Sequence, residues 1–270
     1  MQRREESTPC QPFCIYASLR GCSSGFFCRQ YGPDVRGVDI VMPGNWAASL
    51  IALFLLSWGI LFGEDTLPSV LILGDQVYQE PANELKKELR EKVEIHFPRH
   101  EPGFVWNSST ASQVLNQYLG DKQWDLIYFN CGLGDLIHRV PEIKSHRIMP
   151  RHAGGVRTTD PKNYESNLNL LVKKLKATGA RIIWGNTTPI RHSTSNVFAL
   201  GSEIEYNSIA SSVMKKHGIP VVDMYSFVKG ILNMEKPAGH GADPFHFDRK
   251  PIHSPVKDII AKSLGLNLDQ

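Results

Sequence analysis

Two short stretches hold residue types that can do acid–base or nucleophilic chemistry. Near the C-terminal end, Asp243-Pro244-Phe245-His246 sets a carboxylate three residues ahead of an imidazole. That arrangement suits a carboxylate orienting a histidine, which then takes a proton from a hydroxyl or a water. In the first third of the chain, Gly74-Asp75-Gln76 follows the apolar run Ser69-Val70-Leu71-Ile72-Leu73. A short β-branched run ending in a tight turn reads as a buried strand that presents a side chain at its C-terminal edge. The side chain presented is an amide. Gln76 cannot attack a carbonyl, because its nitrogen lone pair is delocalised, but it can donate and accept hydrogen bonds.

Other clusters are less specific. His240, Asp243, His246, Asp248 and His253 fall within fourteen residues, yet their spacing matches no common zinc signature, and no metal is expected. Gly132-Leu133-Gly134 follows a strand-like run as a dinucleotide loop would, but position 137 is Ile where that loop needs glycine. No cofactor is expected. His138, Arg139, His146, Arg147, Arg151 and His152 make a basic, His-rich stretch. It reads as a solvated loop or, at the edge of a cleft, as a selector of anionic or carbohydrate ligands.

Strand-like and helix-like segments alternate from residue 67 onward. Strands are expected over 70–74, 93–97, 125–130, 181–184 and 220–224. Helices are expected over 80–92, 109–119, 161–178, 202–217 and 254–264, with Pro81 in the first turn of one and Gly179 closing another. Five strands separated by helices predict an α/β fold, with a parallel sheet covered on both faces and right-handed crossovers.

In their order and spacing these blocks resemble the SGNH (GDSL-type) hydrolases and esterases. The resemblance spans roughly residues 67–266. Besides Gly74-Asp75-Gln76 and Asp243-x-x-His246, it rests on Asn130-Cys131-Gly132-Leu133-Gly134-Asp135, Asn186-Thr187-Thr188-Pro189, Tyr206-Asn207 and Val221-Val222-Asp223. It implies a three-layer α/β/α, flavodoxin-like fold with strand order 2-1-3-4-5 and a cleft at the C-terminal ends of the strands. It also implies that His246 is the base, oriented by Asp243, and that Gln76 stands where the family carries its nucleophilic serine. The pocket holding the oxyanion would involve Asp75, Ser112, Asn130, Gly132 and Gly134. The second block then falls on Ser109-Thr110-Ala111-Ser112, without the family's glycine, and Gly134 takes the place of its asparagine.

Three readings stay open on these residues. One is a ligand-binding relative that no longer turns over the small-molecule or carbohydrate ester the fold implies. Another is a hydrolase of altered mechanism, in which His246 activates water or a recruited Ser108, Ser109, Thr110 or Ser112. The last is a surface-interaction protein with no small-molecule site.

Composition narrows the wider class. The chain has 270 residues, 41% hydrophobic and 21% charged, as a globular protein does. A net charge of +3, without a basic stripe bearing aromatics, argues against nucleic acid as a partner. Residues 1–63 read as a leader and 64–270 as one domain. Cys10, Cys14, Cys22 and Cys28 crowd the start, whereas Cys131 is the lone thiol after it. The uncharged stretch 46–63, eighteen residues long, is either an export signal after a true start at Met42 or a single membrane anchor. Both place the main domain outside the cytoplasm.

Overall fold

The computed structural model describes residues 66–101, 103–141, 147–235 and 251–268, all within the unit Gly63–Gln270. Asp243, His246, Met42, the stretch 46–63 and the four N-terminal cysteines lie outside the described residues. So do His146, His240 and Asp248.

Every residue of strand β1 (Ser69–Leu73) is buried, because helices cover both faces of a central parallel strand. On one side it pairs with β2 (Glu94–His96), and on the other with β3 (Leu126–Phe129). Strand β6 (Arg181–Gly185) continues from β3, and β7 (Val221–Val222) closes the far edge. All four pairings are parallel, and the order β2-β1-β3-β6-β7 is the expected 2-1-3-4-5 of five core strands.

Between the strands run α1 (Gln79–Glu88), α2 (Ser108–Leu119), α4 (Pro161–Lys176) and α5 (Ser202–His217), with α7 (Ser254–Leu264) last. Helix α4 shows how locally its form is written. Asp160 caps it by accepting from the Asn163 N–H at 2.9 Å, and Pro161 opens it. Tyr164, Leu168, Leu171, Val172 and Leu175 form its buried stripe, and lysines populate the last turn.

Four elements are additions to the sequence expectation. A single turn, α3 (Leu133–Leu136), follows β3. Strands β4 (His138–Arg139) and β5 (Val156–Arg157) pair as an antiparallel ribbon inside the basic stretch, which the sequence reads as a plain loop. Helix α6 (Met224–Ile231) begins where the last strand was expected to continue. The Asp223 side chain accepts from the Ser226 N–H there, and a residue capping a helix cannot also extend a strand.

Candidate functional site

The C-terminal ends of β1, β2 and β3 open into one cleft of about 1180 Å³. This is where an open parallel sheet presents its ligands, and the volume lies slightly above the roughly 300–1,000 Å³ common for small-molecule sites. Asp75, Gln76, Gln79, Asn83 and Lys86 line it from the β1 turn and α1. Phe97, Arg99, His100, Glu101, Phe104 and Trp106 line it from the segment after β2, and Gly134, Ile137, Arg139, Arg147 and Ile148 from beyond β3.

The turn after β1 is built to expose position 76. Asp75 has extended backbone and caps the short 3-10 helix Gln76–Tyr78 by accepting from the Val77 N–H at 3.2 Å. Val77 and Tyr78 turn into the core, leaving Gln76 exposed in the cleft. Asp75 is only 4% exposed. Burial pushes its carboxyl up to about 7; the Val77 bond opposes that rise, and the neighbouring Asp135 adds to it.

Asp135, on α3, is fully buried beneath the cleft. Its carboxylate accepts from the Ser108 N–H at 3.0 Å and the Ser108 hydroxyl at 2.6 Å. Burial raises it to about 6 despite these bonds, which favour the charged form. The bonds fasten the start of α2 to the turn after β3. Asn107 completes that start with a capping box: its side chain accepts from the Ser109 and Thr110 N–H groups, and the Thr110 hydroxyl accepts from the Asn107 N–H.

His100 is the nearest described imidazole to the Gly74-Asp75-Gln76 turn, and sequence reasoning missed it. Its Nε2 lies 3.0 Å from the Gly74 carbonyl and its Nδ1 2.9 Å from the Tyr118 hydroxyl. A carbonyl only accepts, so Nε2 carries the proton and Nδ1 accepts from Tyr118. Both nitrogens are thereby committed. Burial also holds the ring below its ordinary value, with the Gly74 bond opposing. The imidazole stacks on Trp106 at 5.5 Å, and the Trp106 indole N–H donates to the Asn130 carbonyl at 2.6 Å. His100 is therefore a strut between the segment after β2 and the β1 turn. Its position at the end of a parallel strand was the available signal.

The expected site residues divide. Gln76, Asp75 and Gly134 line the cleft. Ser112, Asn130 and Gly132 are not among its lining residues. Ser112 faces α4, where its hydroxyl and carbonyl accept from the Lys174 ammonium. Asn130 is buried below the cleft, and its amide donates to the Gly185 carbonyl at 2.8 Å, tying the end of β3 to that of β6. Gly132 packs on Thr187, whose Oγ1 lies 1.8 Å from where a Cβ would stand. At Gly134 the Trp106 carbonyl oxygen is 1.9 Å from that point. An asparagine there cannot be accommodated without moving backbone.

The recruited nucleophiles do not reach the cleft either. Ser108 is fully buried on Asp135, the Thr110 hydroxyl donates to the Val105 carbonyl at 2.6 Å, and neither Ser109 nor Ser112 lines the cleft. Among the described lining residues there is no Ser, Thr, Cys or Tyr. Cys131 is buried, and burial pushes its thiol well up. No group of three or more His, Cys, Asp or Glu among the described residues could hold a metal ion.

Within the basic stretch, only Arg139 and Arg147 of the described residues face the cleft. Arg151 turns away, its guanidinium close to the Ser195 and Phe198 carbonyls, and the His138 Nδ1 lies 3.0 Å from the Val197 carbonyl.

The sequence matches no protein-family model and no curated protein. Solved structures do resemble it. The lipase/acylhydrolase from Enterococcus faecalis superposes with a TM-score of 0.56 at 13% identity, covering 76% of this chain and all of its own. The acetyl xylan esterase AlAXEase gives 0.52 at 13%, covering 73% of this chain and 98% of its own. The psychrotrophic esterase EstA from Pseudoalteromonas sp. gives 0.51 at 16%, with 73% and 98% covered. At such identities the likeness is one of fold. With its 2-1-3-4-5 parallel sheet and its cleft beside the first strand's turn, the chain has the fold of the SGNH (GDSL-type) hydrolase superfamily.

Proposed function

We propose that the protein binds a small-molecule or carbohydrate ester in this cleft and does not turn it over through an acyl-enzyme. One observation carries the reading. The exposed side chain at the turn after β1 is Gln76, and no hydroxyl or thiol side chain lines the cleft among the described residues. Removing the nucleophile of a serine hydrolase costs roughly a million-fold in turnover. What the cleft retains is suited to recognition: the amides of Gln76, Gln79 and Asn83, and the rings of Phe97, Phe104 and Trp106. That a structural neighbour is an acetyl xylan esterase supports a carbohydrate-type ligand. We further place the domain outside the cytoplasm, as the uncharged stretch 46–63 suggests.

The test uses the full chain with short p-nitrophenyl esters and acetylated xylo-oligosaccharides. Wild type and His246→Ala should release p-nitrophenol at the same background rate. The oligosaccharide should raise the Tm of wild type and not that of Gln76→Ala. Turnover that vanishes in His246→Ala overturns the proposal in favour of water activation by the Asp243–His246 pair. No Tm shift with any ester overturns it in favour of a surface-interaction protein.

A further inference from the structure

The N-terminal ends of the strands, opposite the cleft, carry an uneven charge. Helices α4 and α5 run back against the parallel strands and finish there. Lys173, Lys174 and Lys176 fill the last turn of α4, Lys215 and Lys216 that of α5, and Arg181 opens β6. All six are exposed. Between Ser166 and Val222 the only acids are Glu203 and Glu205, and both sit in the first turn of α5, at the far end of that helix. Toward β2 the charges mix, since Lys122 pairs with Glu94 and Asp121 precedes it. The excess therefore belongs to the α4–α5 corner.

Two further observations mark this end of the sheet. The cations converge: the Lys176 ammonium donates to the His217 carbonyl at 3.0 Å, and the His217 imidazole is held below its ordinary value by burial and then by the charges of Lys176, Lys216 and Lys173. Apolar side chains also stand uncovered there. Leu67, which leads into β1, is 41% exposed, and Val221, the first residue of β7, is 42% exposed. Helix dipoles favour cations in a last turn. They explain neither Arg181, which starts a strand, nor the exposed Leu67 and Val221. Exposed lysines are screened from distant charge, so a fitting partner is a surface that brings dense negative charge into contact with them.

We propose that this end of the sheet rests on an anionic lipid surface, with the lysines among the headgroups, Leu67 and Val221 against the apolar boundary, and the cleft facing away into solution. Clustered cations beside uncovered apolar side chains suit a lipid interface, which offers headgroup charge over hydrocarbon. The course of the chain agrees. The described residues begin at Thr66 and enter β1 from this same end, and the uncharged stretch 46–63 comes only a few residues earlier in the sequence. A domain joined there to an apolar segment would present these lysines to the membrane. The inference is independent of what the cleft binds.

Amine acetylation of the full chain, read residue by residue by mass spectrometry, tests this on vesicles of phosphatidylcholine alone and of phosphatidylcholine with phosphatidylglycerol. On the anionic vesicles Lys173, Lys215 and Lys216 should label about fivefold more slowly than on the neutral ones. That difference should shrink as salt rises from about 0.01 to about 0.15 M. Lys86 at the cleft and Lys162 at the start of α4 should label alike on both. The comparison holds whether or not the stretch 46–63 anchors the chain, because only the headgroups differ. Lys173→Gln/Lys216→Gln should cut the protection of Lys215 about twofold or more, with Tm unchanged because both side chains are exposed. Equal labelling of the three lysines on both vesicles, slowing of Lys86 and Lys162 to the same degree, or Lys215 protection that survives the double variant overturns the proposal. Protection by soluble polyglutamate as strong as by the anionic vesicles assigns this end to an acidic protein and overturns the lipid.

Discussion

Asp75 has a carboxyl that is more easily buried neutral than charged, and this sets a pH dependence that can be measured. Its ordinary value near 3.8 is raised to about 7 in the fold. Between those values the unfolded chain has released the proton and the folded chain still holds it, so stability falls as pH rises through that window. At roughly 1.4 kcal/mol per unit, the effect is on the order of a few kcal/mol. Asn keeps the acceptor for Val77 and has no charge to bury. Asp75→Asn should therefore gain on wild type in urea stability as pH rises from about 4 to about 7, then hold the gain. Asp135, raised to about 6, acts in the same direction, so the variant keeps part of the slope. Parallel stability curves for the two proteins would show that Asp75 does not titrate in this window. The residues on the turn after β1 were legible because a strand followed by Gly-Asp has one structural meaning. Asn130 and Ser112 were not. Their fates depend on Gly185 and Lys174, partners 55 and 62 residues away, which no local pattern reveals.

At the scale of elements, helix termini position much of what surrounds the cleft. The start of α2 carries the Asn107 capping box and the Ser108 seat for Asp135, so a loosened cap reaches the floor of the site. Asn107→Ala should cost about 1–2 kcal/mol, read as a lowered urea midpoint, and Asn107→Ser should recover most of it by restoring the acceptor. Equal losses in both variants would mean that packing of Asn107, and not its cap, carries the effect. The extents of α4, α5 and α7 match the sequence expectation to within two residues, since caps, prolines and glycines mark them locally. The helix expected over 80–92 instead stops at Glu88. Leu89 and Val93 are both buried, and the turn between them lets the chain enter β2 with each side chain in the core. The β4–β5 ribbon is two residues per strand, too short for alternation to register.

At the scale of the molecule, the order of the strands came from the resemblance and not from periodicity, because an alternating pattern leaves each new strand free to add at either edge. The position of the site follows from that order: β1 is flanked by β2 and β3, so its turn becomes the floor of a cleft with walls on both sides. The described core has its own closure. Residues such as Val70, Leu126, Tyr164, Val172 and Val256 are wholly or almost wholly shielded, and the chain divides between Phe62 and Gly63. A chain beginning at Gly63 should therefore fold alone and unfold cooperatively, as a domain of this size does when its core is complete. Its Tm should fall within about 2–4 °C of the full chain, the shift that about 1 kcal/mol produces at this length. It should also show the same Tm rise with acetylated xylo-oligosaccharides as the full chain. A large drop in Tm, or loss of binding with Tm preserved, would mean that residues before Gly63 contribute to the core in the first case and to the cleft in the second. Either outcome would make the leader part of the working protein and not a segment it can lose.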